Sequence, residues 1–214
     1  HYTGMQSMRA SIKRLVSLKH KVSCHYLISR DGKIFQMVED NQVAWHAGKS
    51  KWGTIENLNI NSIGIELVNN GHKFGYQKFS ARQINALVML CIKLKKKYKI
   101  KNRYILGHSD IAPLRKSDPG EKFPWLKLKK KKIGIWYSLN KKSLKFKEFK
   151  ANNVRKTFFK NLYKIGYRYF NKDKFSKTDK LIIKSFQRRF RQEKVNGKID
   201  LECLKISDNL AKNQ

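Results

Sequence analysis

Hydrophobic positions in the first half of the chain follow two spacings, one typical of helices and one typical of strands. Segments 7–19 and 80–98 place apolar residues three or four positions apart, which predicts two amphipathic helices, the second with Ser80 as its N-cap. Shorter apolar or alternating segments predict four strands: 25–29, 33–38, 62–68 and 103–107. Strands that alternate with helices in this way predict an α/β or α+β domain.

A tight turn joins the first two predicted strands. Asp31-Gly32 lies between segments 25–29 and 33–38, and an Asp-Gly pair between two strand-like segments is a strong hairpin signal. We therefore expect these two strands to pair antiparallel.

The second half of the chain has a different pattern. Residues 108–126 are irregular and contain all three prolines of the chain, and residues 141–150 have the composition of a basic connector. The segments that follow have helical spacing: 152–165, 177–190 and 201–211. We predict one domain over residues 1–140 and a small three-helix module over residues 151–214.

The net charge of +34 in 214 residues is extreme, and it comes mainly from lysines. Such a charge attracts polyanions, which include nucleic acids and acidic cell-wall polymers. It is equally compatible with a lysine-rich surface that is simply solvated. A nucleic-acid-binding protein is thus one interpretation, although it explains nothing about the histidines described below.

Cysteine content and hydropathy exclude several classes of protein. Cys24, Cys91 and Cys203 form no Cys-x-x-Cys pair, so we expect buried thiols rather than a cysteine zinc site or a redox motif. The sequence contains no run of about 18 apolar residues that could span a membrane. It begins at His1 without Met, and we expect that a preceding segment such as a signal peptide or lipid anchor was removed or left out.

The loop GHSDIAPLRKSDPG at 107–120 is the strongest candidate for chemistry. It places His108 at the end of a predicted strand and Asp118 ten residues later, and both residue types are zinc ligands. His1 is the candidate for a third ligand, which would leave one position open for catalysis. The alternative is a surface loop whose polar residues are unrelated.

Two acidic residues allow two interpretations each. Glu66 lies inside the apolar segment 62–68, where burial would raise its pKa and suit it to general-base catalysis, unless it faces solvent at an edge. Asp110 follows His108 closely, and it either orients that ligand or, as we favour, caps a turn.

Five motifs in order over residues 1 to about 137 resemble the zinc-dependent N-acetylmuramoyl-L-alanine amidases of the AmpD/AmiD type, which are related to phage lysozyme-type amidases and peptidoglycan-recognition proteins. The motifs are HYT (1–3), VSCHYLISRDGKIFQMV (22–38), AWHAG (44–48), NSIGIEL (61–67) and GHSDIAPLRKSDPG with FPW (107–125). IGIWY at 133–137 is similar to the AmiD-like members, and FQRRFR with NGKID (186–200) is similar to peptidoglycan-binding three-helix modules.

The resemblance implies a fold, a cofactor and residue roles. The fold is α/β, with a central mixed β-sheet flanked by helices and followed by the three-helix module. The cofactor is one Zn²⁺ per chain, held by His1, His108 and Asp118, with Glu66 as general base and Lys116 as the oxyanion-stabilising cation. The residues that match positions lining the substrate groove are Tyr26, His46 and Arg115.

The implied activity is hydrolysis of the amide between the lactyl group of N-acetylmuramic acid and L-alanine of the stem peptide. The expected partners are peptidoglycan or muropeptides, with anionic wall polymers as further candidates and no specific nucleic acid. We expect the protein in the cell envelope or periplasm, with the cytoplasm as the alternative. A non-catalytic peptidoglycan-binding protein remains a second interpretation, although all three candidate ligands are present.

Overall fold

The computed structural model of the chain describes residues 1–139 and 151–213, so the predicted connector at 141–150 lies outside the described residues. The strands are β1 (Tyr26–Ile28), β2 (Ile34–Gln36), β3 (Lys51–Trp52), β4 (Ile55–Glu56) and β5 (Ile65–Leu67). The helices are α1 (Met8–Leu15), α2 (Ala81–Tyr98), α3 (His108–Ile111), α4 (Trp125–Lys130), α5 (Ala151–Ile165), α6 (Asp179–Phe190) and α7 (Leu201–Lys212).

The central sheet is mixed, as predicted. β1 pairs antiparallel with β2 across the Asp31-Gly32 turn and parallel with β5, which gives the order β2-β1-β5. Tyr2 adds a parallel bridge to Leu67 at the free edge of β5. This bridge places the first residues of the chain beside the end of the sheet. β3 and β4 form a separate short hairpin.

The predicted strand at 103–107 is wrong in this structure. A 3-10 turn covers Asn102–Tyr104, and residues 105–107 pair with no strand among the described residues. The reason is local, since the amides of Tyr104 and Ile105 bond back to the carbonyls of Lys101 and Asn102 instead of to a neighbouring strand.

Helices cover both faces of the sheet. α2 begins where the Ser80 hydroxyl accepts the Gln83 amide at 3.1 Å, which confirms the predicted N-cap. Its apolar side, with α4, packs against the face that carries Tyr26 and Leu67. α1 packs its apolar residues against the opposite face around Leu27. The three predicted thiols are free and buried.

The three-helix module shares a hydrophobic cluster with the first part of the chain. Trp52 of the β3–β4 hairpin is 1% exposed and its ring lies 4.9 Å from that of Tyr167. A Cβ on Gly166, at φ +136°, would lie 2.3 Å from the Trp52 ring, so only glycine permits this approach. The helices of the module are confirmed at nearly the predicted bounds, whereas the division into domains stays a prediction.

Within the described residues, no helix is both long enough and apolar enough to span a bilayer.

Candidate metal centre and active site

Three side chains that are distant in the sequence bring their metal-binding atoms together at one end of the sheet. His1 hydrogen bonds along β5, His108 begins α3, and Asp118 follows in the next loop. The Nδ1 atoms of His1 and His108 are 2.8 Å apart, and Oδ2 of Asp118 lies 3.1 and 3.2 Å from them. In the part of the chain that the structure describes, this is the only group of three such residues able to hold a metal ion.

The donor set fits zinc. Zinc bonds nitrogen and oxygen at about 2.0–2.2 Å, which separates the ligand atoms of a tetrahedron by roughly 3.3–3.6 Å. The observed separations of 2.8 to 3.2 Å are slightly shorter and need only small side-chain movements to match. Two imidazoles and one carboxylate leave a fourth position for water or substrate, as catalytic zinc sites require.

The tautomer of His108 leaves the nitrogen that faces the site without a proton. Its other nitrogen, Nε2, lies 3.0 Å from the carbonyl oxygen of Ala47, which can only accept a hydrogen bond. We therefore assign the proton to Nε2, so that Nδ1 presents a lone pair to the site. Metal-binding histidines are commonly held by a carbonyl in this way.

His46 orients His1 through a second imidazole. Nε2 of His46 donates to the Ser62 carbonyl at 3.4 Å, which leaves Nδ1 to accept from Nε2 of His1 at 3.3 Å. The Nδ1 atom of His1 is then unprotonated and faces the other donors. Burial lowers the pKa of His46 to about 3, so its ring stays neutral and keeps this pattern of donors and acceptors.

Gly64 makes room for the His46 ring. A Cβ at this position would lie 2.2 Å from Cγ of His46, a distance that no side chain tolerates. The glycine of the NSIGIEL segment therefore serves packing around the histidine pair, and β5 begins one residue later.

The carboxylate of Asp118 is buried beside the two imidazoles, and the residue is 6% exposed. Burial raises its pKa, but His108 in its charged form and the cation Lys116 lower it by more, and the net pKa of Asp118 lies below the ordinary value. The loop closes on α3 because the Ser109 amide donates to the Asp118 carbonyl at 2.8 Å.

Glu66 has the environment expected of a general base. It lies at the centre of β5 opposite Leu27, and its buried Oε2 has no hydrogen-bond partner among the described residues. Burial raises its pKa to about 7; the charge of Asp118 also raises it, while that of Lys116 lowers it. A small cavity of about 80 Å³ borders Glu66 and His46, which is room for water. The structure thus favours the buried interpretation of Glu66 over the solvent-facing one.

Lys116 is half-buried on the loop that carries Asp118. Its positive charge lowers the pKa of both Glu66 and Asp118. Lys116 therefore lies within electrostatic range of the ligand cluster and the candidate base. A cation at this place can stabilise negative charge that develops between them.

An open cleft of about 410 Å³ adjoins the donor cluster and is bordered by His46, His108 and Arg115. Arg115 is held there because its guanidinium donates to the carbonyls of Ala47 and Lys49, the latter at 2.8 Å. Trp45 lines the same cleft and is 50% exposed. Sequence reasoning did not single out Trp45, although a tryptophan inside the AWHAG motif was a usable signal.

The structure does not bring Tyr26 to this cleft. The residue is 8% exposed and packs between the sheet and α2. Its hydroxyl donates to Asp40 at 2.6 Å, and Asp40 also binds Lys97 and Tyr98 of α2. The predicted groove role of Tyr26 is therefore replaced by a structural one.

Asp110 caps a turn, as the sequence favoured, and its carboxylate bonds Gly107, Tyr167 and Arg189 rather than the His108 ring. Its Oδ2 accepts the Gly107 amide at 2.8 Å at the start of α3. The same carboxylate receives two side chains from the three-helix module, Tyr167 and Arg189.

A mixed sheet between helices, with a His/His/Asp cluster beside a buried carboxylate and an open cleft, is typical of metal-dependent hydrolases. Residues 1–121 match the model of the N-acetylmuramoyl-L-alanine amidase family, and the chain belongs to this family of amidases. The fold and enzyme class that the motifs implied are thereby confirmed.

Individual relatives agree with this assignment. The chain is 33% identical to N-acetylmuramoyl-L-alanine amidase AmiD of Escherichia coli K12 over an alignment of 224 residues. This alignment covers 98% of this chain and 80% of that protein. It is 43% identical to 1,6-anhydro-N-acetylmuramyl-L-alanine amidase AmpD of Haemophilus influenzae, over 49% of this chain and 55% of that protein.

Solved structures match the whole fold, including the module. The structure of E. coli AmiD in complex with a muropeptide superposes with a TM-score of 0.88 at 31% identity and covers 100% of this chain and 87% of that one. AmpDh3 of Pseudomonas aeruginosa gives a TM-score of 0.89 at 32% identity and covers 100% and 89%.

Proposed function

We propose that this amidase binds one zinc ion through His1, His108 and Asp118 and cleaves the lactyl–L-alanine amide of muropeptides at that site. The single observation that carries the proposal is the convergence of these three donors. The tautomers assigned from the other ring nitrogens turn an unprotonated Nδ1 of each imidazole toward the site. Family membership supports the reaction, since the family is one of N-acetylmuramoyl-L-alanine amidases.

The side chains around the donors divide the chemistry between them. When bound, zinc supplies a Lewis acid that polarises a carbonyl and makes water acidic near neutral pH. Glu66 takes the proton of the attacking water and then delivers it to the departing alanine nitrogen. Lys116 stabilises the negative charge that develops on the carbonyl oxygen. His46 contributes by orienting His1 rather than by binding substrate.

We propose that the substrate lies in the cleft beside Trp45 and Arg115. The similar structures of AmiD and AmpDh3 were solved with an anhydro-N-acetylmuramic acid tripeptide and an anhydromuramic pentapeptide, which supports a muropeptide as the ligand class. An aromatic ring suits the apolar face of a sugar, and a guanidinium suits the carboxylates of a stem peptide. Because peptidoglycan lies outside the cytoplasmic membrane, we place this activity in the cell envelope.

The proposed reaction is tested by product analysis. The zinc-loaded protein is incubated with a soluble anhydro-muropeptide and, separately, with purified sacculi, and the products are identified by mass spectrometry. We expect free stem peptides that begin with L-alanine, together with intact sugar. Binding without any released peptide would instead support the non-catalytic alternative.

A further inference from the structure

Three buried side chains of the module reach into the turn that begins with the candidate ligand His108. Tyr167 lies just after α5, and Ser185 and Arg189 lie one turn apart on α6. All three are at most 1% exposed, as is the carboxylate-bearing Asp110 of the turn. These contacts are therefore interior features that link the module to the catalytic part.

Asp110 receives hydrogen bonds from both parts of the chain. Its Oδ1 accepts the Tyr167 hydroxyl at 2.6 Å, and its Oδ2 accepts from Nη1 of Arg189 at 2.5 Å and from the Gly107 amide at 2.8 Å. Arg189 also donates to the Ile105 carbonyl at 2.9 Å. A buried carboxylate with this many donors holds the turn in one conformation.

A second contact lies one residue closer to His108. The Ser185 hydroxyl donates to the Ser109 carbonyl at 2.6 Å, and the Ser109 amide donates to the carbonyl of Asp118 at 2.8 Å. Ser109, the residue after His108, is thus held through its carbonyl by the module and through its amide by the loop that carries Asp118.

We infer that Tyr167, Ser185 and Arg189 are positioning residues for His108, so that the module forms part of the scaffold of the metal site. The inference rests on the proposed role of His108 as a ligand. Its consequence is that the module influences zinc binding and turnover even on small soluble substrates, where wall attachment has no effect.

The test uses the full chain with the two mildest changes combined, Tyr167→Phe and Ser185→Ala. Both remove a hydroxyl and keep the packing, whereas Arg189→Met would leave Asp110 buried without its cation. The matched control combines Tyr163→Phe with Ser207→Ala. Tyr163 lies on α5 and is 44% exposed, and Ser207 is as buried as Ser185 but bonds Asn161 within the module. Zinc affinity is measured by competition with a chelator, and kcat and KM on a soluble anhydro-muropeptide.

We expect the test variant to bind zinc roughly tenfold more weakly and to lose roughly tenfold in kcat, with KM little changed, because a ligand that is held less firmly affects metal and chemistry more than substrate binding. The control variant should keep the wild-type values. Amide exchange in the metal-free protein should accelerate at residues 107–112 of the test variant and stay slow there in the control.

Wild-type zinc affinity, kcat and exchange in the test variant would overturn the inference, as would equal losses in the control. Failure of the proposed function is separate from this result. It would appear as a wild-type chain that binds no zinc, and the exchange rates at residues 107–112 would still decide whether the module holds the turn.

Discussion

At the residue scale, the site depends on which nitrogen of each imidazole is free. Nε2 of His108 is committed to a carbonyl, and Nε2 of His1 is committed to His46, whose own Nε2 is committed to Ser62. The motif spacing alone indicated candidate ligands but could not assign these tautomers. They follow from contacts between residues 16 to 61 positions apart, such as His46 with Ser62 and Ala47 with His108.

The first prediction concerns Glu66. Glu66→Gln should keep zinc and fold, because Glu66 does not belong to the donor cluster, while kcat falls by about 10²–10⁴, the usual contribution of a general base. Zinc content and turnover of a soluble muropeptide are measured on the same sample. Activity within a few-fold of wild type would exclude Glu66 as the base.

The second prediction concerns pH. Burial raises the pKa of Glu66 to about 7 in the metal-free site, and the positive charge of zinc lowers it from there. A general base must be ionised, so kcat/KM should fall as pH drops through or somewhat below 7, and Glu66→Gln should lack this acidic limb. Zinc content is followed at each pH, because protonation of His1 or His108 also releases metal. An acidic limb that persists in Glu66→Gln at constant zinc would contradict the assignment.

The third prediction concerns His46. His46→Ala should weaken zinc binding by about 10–100-fold, because His1 loses the group that sets its tautomer and orientation. His20→Ala is the control, since His20 is exposed and, among the described residues, its ring hydrogen bonds only to Ser17. Chelator competition measures both variants. Equal zinc affinities would show that His46 does not orient the ligand.

At the scale of the element, local sequence signals predicted what local interactions stabilise. The Asp31-Gly32 hairpin, the Ser80 cap of α2 and the three module helices were all predictable, because each depends on neighbours in sequence. The structure of segment 103–107 was not predictable in this way. Its composition is strand-like, but a strand also needs a pairing partner, and the segment has none among the described residues. Tyr26 was misplaced for a similar reason, since its partner Asp40 lies on a separate segment.

The fourth prediction concerns the start of β5. Gly64→Ala should displace His46, because the added Cβ would lie 2.2 Å from its ring, and zinc affinity should fall as it does in His46→Ala. The double variant Gly64→Ala/His46→Ala should bind zinc no more weakly than His46→Ala alone, since both act through one contact. If chelator competition shows that the two losses of zinc affinity add up in the double variant, Gly64 acts on the site by a route other than His46.

At the scale of the whole molecule, the module and the catalytic part share buried contacts. Tyr167 and Arg189 are 57 and 79 positions from Asp110, so no local pattern could have predicted that they meet it. The sequence did predict the module itself and its helices. It also predicted that residues 1–140 and 151–214 are separate domains, and that division stays a prediction.

The fifth prediction concerns truncation. A chain ending at residue 139 would expose Trp52 and leave Asp110 buried without Arg189, and loss of one partner of a buried ion pair costs about 3–5 kcal/mol. Since a typical domain has about 5–15 kcal/mol of total stability, we expect the truncated chain to unfold at a much lower temperature and to lose muropeptide cleavage. Thermal unfolding and soluble-substrate assays measure this. A truncated chain with full stability and turnover would show that the two parts fold independently.

Whether His1, His108 and Asp118 form a catalytic zinc site is tested most directly by the rate of stem-peptide release as zinc is titrated into the metal-free protein. We expect activity to rise in proportion to added zinc, to reach a plateau at one equivalent per chain, and to stay near zero throughout for His108→Ala and Asp118→Ala. Full activity without zinc, a plateau at another stoichiometry, or wild-type behaviour of either variant would contradict this expectation.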